Sequence, residues 1–308
     1  MLDPTELLSR KLLLVTGKGG IGKTLLTACL GQCAAAAGKR VLLVEYVACD
    51  QLAPLFGATL IGHSERRVAP NIDCLNLDPT ENFREYMTKY LGQRVLYDTI
   101  FSHKVVQSFI KTVPGLAELM LLGRLYYHCE LAPEPRYDLV ILDGFASGHF
   151  LSLMTTPAAV LHTALGGPLI RETERVSAFL ADKDKCGIVY VTIPEALVIS
   201  ETIDFLPRLA AQSPTAIAGV VLNRTPPPLS TLSLPGPAAD YLARIAESAA
   251  AATAMLTEGL AGLTPHDSSP MPIWTLPEVG FIPEPLPADF AAKIFTAQGQ
   301  DKAERAKQ

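Results

Sequence analysis

Gly17-Lys18-Gly19-Gly20-Ile21-Gly22-Lys23-Thr24 stands between a short apolar run, Leu12 to Val15, and an alanine- and leucine-rich stretch from Thr24 to Ala37. The octet satisfies G-x-x-x-x-G-K-[ST] at every required position. Its glycines let successive backbone N–H groups turn toward one centre, and a following helix N-terminus adds partial positive charge, which together make an anion cradle. The context suits that use. The apolar run reads as a buried parallel strand, the stretch after it as a helix, and Gly38 as the residue just past the helix end. On this reading residues Gly17 to Gly22 wrap a triphosphate. Lys23 reaches the β and γ phosphates, and the Thr24 hydroxyl binds magnesium, so ATP and Mg²⁺ are the expected cofactors.

Working outward, Val41 to Val44 is a second apolar strand, and a strand, crossover helix and strand of this length is a right-handed βαβ unit. Further candidate strands are Ile72 to Leu77, Leu139 to Leu142, Ile188 to Ile193 and Ile217 to Leu222, with one more near Ile273 and Trp274. Glu81 to Gly123 follows helical spacing through Phe83, Tyr86, Met87, Tyr90, Leu91, Val105, Val106, Phe109 and Ile110, interrupted at Gly92, Pro114 and Gly115. Ala238 to Leu260 is alanine-rich and helical; Thr225 to Pro237 is an irregular connection, and the polar tail from Gln298 is expected to fray. This alternation predicts an α/β fold: a mostly parallel sheet with helices on both faces. We expect one phosphate-loop domain over residues 1–308 with a helical insertion over 78–135. No internal repeat is present.

Composition narrows the function classes. Of 308 residues, 49% are apolar and 19% charged, as in an ordinary globular chain, and the net charge of -5 argues against a general nucleic-acid binder. No apolar run approaches the roughly 18 residues needed to cross a bilayer, and Met1 to Lys11 lacks the layout of a secretory signal. The six cysteines are scattered without a C-x-x-C pair, which suits reduced thiols in the cytoplasm. Cys29 and Cys33, at helical i,i+4 spacing, are expected to pack in a core rather than bind a metal.

Two residues add detail to the nucleotide site. Asp143 ends the apolar strand Leu139 to Leu142, the layout of a second magnesium-site acid. Gly144 to His149 follows as a candidate γ-phosphate sensor, in which His149 is expected to be a hydrogen-bonded helix-start residue rather than a catalytic one. Lys18 is unusual within a phosphate loop. With it the loop resembles the deviant Walker A signature K-G-G-x-G-K-[ST].

Beyond the loop, Asp143-Gly-Phe-Ala-Ser-Gly-His149 is similar to D-T-A-P-T-G-H. Val191-Thr-Ile-Pro-Glu-Ala-Leu197 resembles V-T-x-P-E-x-L, and Gly219-Val-Val-Leu-Asn-Arg224 resembles G-V-V-x-N. In order and spacing these motifs resemble the ATPase family of the arsenite-pump ATPase ArsA and the eukaryotic factors that deliver tail-anchored membrane proteins. Val41 to Glu45, V-L-L-V-E, is like the bacterial single-copy relatives of ArsA. The resemblance implies that Lys18 reaches across a homodimer to the partner's nucleotide, where a cation stabilises charge on the phosphoryl oxygens. It also implies that Asn223 reads adenine and that Glu45 lies near the magnesium with Thr24 and Asp143.

The chain also departs from the family. Val47 stands where an Asp positions the attacking water, so hydrolysis is expected to be slow or partner-dependent; Asp50 and Glu45 are the acids that could compensate. Leu25 replaces a second hydroxyl residue after Thr24. The zinc-clamping C-x-x-C is absent, so no zinc clip is expected. The leading expectation is an ATP-hydrolysing homodimeric switch, cytoplasmic or peripheral at a membrane, coupled to a client in a groove of the insertion. The alternatives are a nucleotide-dependent regulator with little hydrolysis, an energising subunit for export of arsenite or another anion, and a MinD- or ParA-like positioning ATPase. For the last, Phe290, Ile294 and Phe295 would have to form a membrane stripe, whereas a packed terminal helix is the simpler reading.

Overall fold

The computed structural model describes residues 4–91, 115–132, 136–163, 168–226, 237–263 and 270–295. The deciding stretch folds as read. Strand β1 (Leu12–Gly17) runs into the glycine loop, and helix α2 (Lys23–Ala36) leaves it. A short helix α1 (Pro4–Leu8) precedes them. Then come β2 (Val41–Glu45), the single turn α3 (Leu52–Leu55), β3 (Arg66–Ala69), β4 (Ile72–Asn76) and α4 (Pro79–Leu91). Helix α5 (Leu116–Tyr126) continues into a π-helical turn at Tyr127–Leu131. It is followed by β5 (Leu139–Ala146), α6 (Ser147–Thr163), α7 (Pro168–Ala181), β6 (Cys186–Thr192), α8 (Ala196–Gln212), β7 (Ile217–Thr225), α9 (Pro237–Gly259) and β8 (Ile273–Pro277).

The eight strands form one sheet in the order β3-β4-β2-β5-β1-β6-β7-β8. All neighbours are parallel except β3 with β4. β1 is central, and the chain passes from one side of it to the other between β5 and β6. That is the crevice at strand carboxyl ends where open α/β sheets bind ligands. The strands are continuously apolar because both faces are covered. Leu13, Val15, Val41 and Leu43 enter the core beneath α2, whereas Leu12, Leu14, Leu42 and Val44 enter the core on the other face. Strand periodicity thus divides each apolar run between two buried layers.

Differences from the sequence expectations are local. β3 was not foreseen, since Arg66 and Arg67 are exposed and its four residues carry no apolar alternation. β5 continues past Asp143 to Ala146, across a register shift against β1. Phe290, Ile294 and Phe295 lie in a helical turn over 290–295 and are buried in the core beneath α2, so they form a packed end rather than a membrane stripe. Within the stretch expected to be a helical insertion, α4 and α5 pair with each other through Phe83, Leu116, Leu119 and Met120. The expected apolar residues Val105, Val106, Phe109 and Ile110, like the tail from Gln298, lie outside the described residues. Among the described residues no helix is long and apolar enough to cross a membrane.

Candidate functional site

The glycine loop takes the backbone shape that its sequence demands. Gly20 and Gly22 have φ of 78° and 95°, in the region that L-residues avoid. Gly22 also has no room for a side chain, because a Cβ there would stand 2.5 Å from Asn223 Nδ2. Lys23, which opens α2, is half-buried, and burial lowers its pKa while the Asp143 charge opposes that shift. Its ammonium donates to the Lys18 carbonyl across the loop, 3.0 Å away. This contact closes the loop over the space where an anion would draw the lysine outward.

Two neighbouring strands deliver the metal-site candidates. The Thr24 hydroxyl donates to Asp143 Oδ2 at 2.6 Å. Asp143 is buried and its pKa is raised, first by burial, against the lowering effects of the Thr24 bond, the Lys23 charge and the nearby Thr27 hydroxyl, which approaches Asp143 without reaching hydrogen-bond geometry. Asp143 Oδ1 has no partner. Glu45 ends β2, next to β5, and is fully buried. Its Oε2 accepts from the backbone N–H groups of Gln51 and Leu52 at 3.0 and 3.1 Å, which caps α3, and its Oε1 is unpartnered. Burial is the main reason that the Glu45 pKa rises to about 7; the nearby Asp50 and Asp143 charges add to it. Asp143, bonded to the Thr24 hydroxyl, and Glu45 on the neighbouring strand each keep a buried oxygen without a hydrogen bond, and such oxygen donors are of the kind that suits Mg²⁺.

Asn223, near the carboxyl end of β7, donates to the Ile21 carbonyl at 2.8 Å. Arg224 donates to the Gly20 carbonyl at 2.8 Å. The pair braces the loop from the far strand, and the Asn223 carbonyl oxygen is the atom suited to an adenine amino group. A small cleft runs from Gly22 and Asn223 past Leu25 and Cys29 to Pro277 and Val279. Leu25, in place of a hydroxyl residue, is one of its apolar walls.

Lys18 pairs with Glu201 of α8 at 2.6 Å. Sequence reading did not find Glu201, which lies 183 residues away. Asp50 and Val47, whose roles the sequence left open, are both fixed by Asn76 at the end of β4. The Val47 N–H donates to Asn76 Oδ1 at 3.2 Å, and Asn76 Nδ2 donates to the Val47 carbonyl at 3.1 Å and to Asp50 Oδ1 at 2.6 Å. Asp50 Oδ2 accepts from the Ile61 N–H at 2.7 Å. Both Asp50 oxygens are therefore engaged, which opposes the expectation that it could compensate for Val47. Gln51, also unforeseen, brings its side-chain oxygen to 3.3 Å from the Thr24 hydroxyl.

His149 lies in the first turn of α6, where its ring meets Phe145 in a tilted contact with centroids 4.3 Å apart and Nε2 is 3.6 Å from Glu118 of α5. Phe145 in turn meets Tyr46 edge-on at 5.5 Å. His149 thus links the segment after Asp143 to the helical region. All six cysteines are free, and Cys29 is buried with burial raising its thiol pKa. Among the described residues no cluster of His, Cys, Asp or Glu is arranged to hold a metal on its own.

Comparison with known proteins agrees with this geometry. Residues 10–166 match the family model described as anion-transporting ATPase. The chain is 29% identical over 232 residues to ATPase BagA of Mycobacterium tuberculosis, covering 73% of this chain and 68% of that protein. It is 28% identical over 183 residues to ATPase get3 of Schizosaccharomyces pombe, covering 56% and 52%. It is 27% identical over 161 residues to a putative arsenical pump-driving ATPase of Aquifex aeolicus, covering 49% and 39%.

Proposed function

This chain belongs to the anion-transporting ATPase family, and from that premise we propose that it is an ATP-hydrolysing homodimeric switch that couples nucleotide state to a client or a membrane partner. One P-loop unit with its insertion over 78–135 carries the site. The Thr24–Asp143 bond at 2.6 Å, with Glu45 near enough for the Asp143 charge to act on it, carries the reading. Bound Mg²⁺ would neutralise phosphate charge and organise water. Thr24, Asp143 and Glu45 would hold it, the loop N–H groups would bind the phosphates, and Lys23 would leave the Lys18 carbonyl for the β and γ oxygens. Asn223 would read adenine.

The homodimer rests on Lys18. Its ammonium is held by Glu201 of α8 and not by any group of its own loop that the structure pairs with it. One turn before Glu201 on α8, Leu197 is 69% exposed. An apolar side chain beside a movable ion pair suits a surface that closes on a second copy, where Lys18 exchanges Glu201 for the partner's phosphates. The protein acts in the cytoplasm, with any membrane contact peripheral.

Single-turnover ATP hydrolysis by wild type and Lys18→Ala tests the reading. We expect the variant to bind ATP and to lose turnover by roughly 10³-fold, the scale of a charge-stabilising arginine finger. Equal turnover in both proteins would remove the inter-subunit role. Val47 and the engaged Asp50 favour one second reading, a nucleotide-dependent regulator; tight ATP binding without turnover in the wild type would select it. Stimulation of turnover by arsenite against stimulation by a hydrophobic peptide separates anion export from client handling.

A further inference from the structure

Hydrolysis needs a side chain that fixes a water in line with the γ phosphorus, and three candidates near this loop are spent or unsuitable. Val47 is aliphatic. Asp50 has both oxygens engaged, by Asn76 at 2.6 Å and by the Ile61 N–H at 2.7 Å. Glu45 gives one oxygen to the N-terminus of α3 and keeps the other buried without a hydrogen bond.

Gln51 is different in each respect. Its backbone N–H is held by Glu45 Oε2 at 3.0 Å, and it heads α3, whose Leu52, Ala53 and Leu55 are buried. Its main chain is therefore anchored while its side chain is exposed at the nucleotide corner. The side-chain oxygen lies 3.3 Å from the Thr24 hydroxyl, which lies 2.6 Å from Asp143 Oδ2. A hydroxyl has one proton, and the shorter contact to a carboxylate takes most of it. The Gln51 contact is the weaker of the two and the easier to release. A carboxamide released there offers one acceptor and two donors beside the γ phosphate, which is what ordering a neutral water requires.

We propose that Gln51 positions the attacking water for ATP hydrolysis, in place of the acid absent at Val47. The proposal rests on the ATPase reading above. The Gln51 carbonyl oxygen accepts a hydrogen bond from the water, and its amide donates to a γ-phosphate oxygen. The water oxygen forms a bond to the γ phosphorus as the bond to the β–γ bridging oxygen breaks. The electron pair of that bond stays on ADP, and the water proton passes to the departing phosphate. Gln51 takes no proton itself.

The test compares wild type with Gln51→Ala in three measurements: affinity for Mg·ADP, affinity for Mg·ADP with aluminium fluoride, and single-turnover hydrolysis of ATP. The fluoride complex mimics the phosphoryl group in transfer with its in-line water. We expect ADP affinity to change by less than about twofold. The extra affinity for the fluoride complex should fall roughly tenfold or more, and turnover should fall by about 10²-fold, as for loss of one transition-state contact. A variant that keeps both the fluoride affinity and the turnover of a hydrolysing wild type overturns the Gln51 assignment alone. A wild type that binds ATP but neither turns over nor favours the fluoride complex overturns the hydrolysis reading and this proposal together.

Discussion

The glycine loop and the β2–α3 loop, residues 46–51, lie at the carboxyl ends of strands in the same sheet and show two ways of building a site. In the first, shape is local: Gly20 and Gly22 set the turn, α2 follows at once, and the distant Asn223 and Arg224 merely brace it. In the second, shape is borrowed. Asn76 from β4 holds Val47 at both backbone groups and Asp50 at one oxygen, while Glu45 from β2 holds the start of α3. A loop made by glycines tolerates change elsewhere but not within. A loop made by long-range hydrogen bonds fails when its remote anchor is lost.

The strongest way to break this contrast is Gly22→Ala. A Cβ at φ 95° meets Asn223 Nδ2 at 2.5 Å, so strain and displacement of the brace act together. With about 1–2 kcal/mol for the left-handed backbone and a similar amount for the clash, ATP affinity should fall by roughly 10²-fold. Isothermal titration with ATP and Mg²⁺ measures it. An affinity unchanged within threefold would show that the loop is less rigid than its glycines imply.

Asn76→Ala should act on the other loop only. It removes three hydrogen bonds and leaves Asp50 held only by the Ile61 N–H, a loss of about 2 kcal/mol in urea unfolding, with faster amide exchange over residues 46–51. ATP affinity should stay within threefold of wild type. Equal losses of ATP affinity in Asn76→Ala and Gly22→Ala would mean that the two loops are one unit.

The smallest expected effect is the pH response of Glu45. Its folded pKa, about 7, lies above that of an ordinary carboxyl, 4.5, so the folded state holds the proton more tightly. The protonated form therefore supports the fold below about pH 4.5, and that support is lost as pH rises through about 7. Glu45→Gln keeps an oxygen to cap α3 and cannot ionise. Its melting temperature should exceed that of wild type by a few degrees at pH 8 and converge with it toward pH 5. A parallel pair of pH profiles would remove Glu45 as the cause.

How far each loop could be read in advance follows from the same contrast. Glycine spacing and the Lys-Thr pair announce the phosphate cradle, and continuous apolar runs announce the strands around it, because these depend on neighbours in sequence. The exposed β3 carries no such pattern. Its Arg67 is held by Asp73 across the hairpin, a contact that no periodicity encodes. Nor could the sequence say that Asp50 is engaged or that Gln51 faces Thr24, since both depend on how β4 and α3 dock on β2.

The sequence by itself determined the sheet's apolar strands and the glycine loop with Lys23 and Thr24, and it singled out Asp143, although the strand runs on past that acid to Ala146. Tertiary structure decided that Asp143 meets Thr24, that Lys18 is held by Glu201, and that Asn76 fixes the loop where an acid is missing. The physical reason is range. Backbone torsion and side-chain periodicity act over a few residues, whereas a hydrogen bond between residues 119 or 183 positions apart exists only once the sheet has ordered its strands.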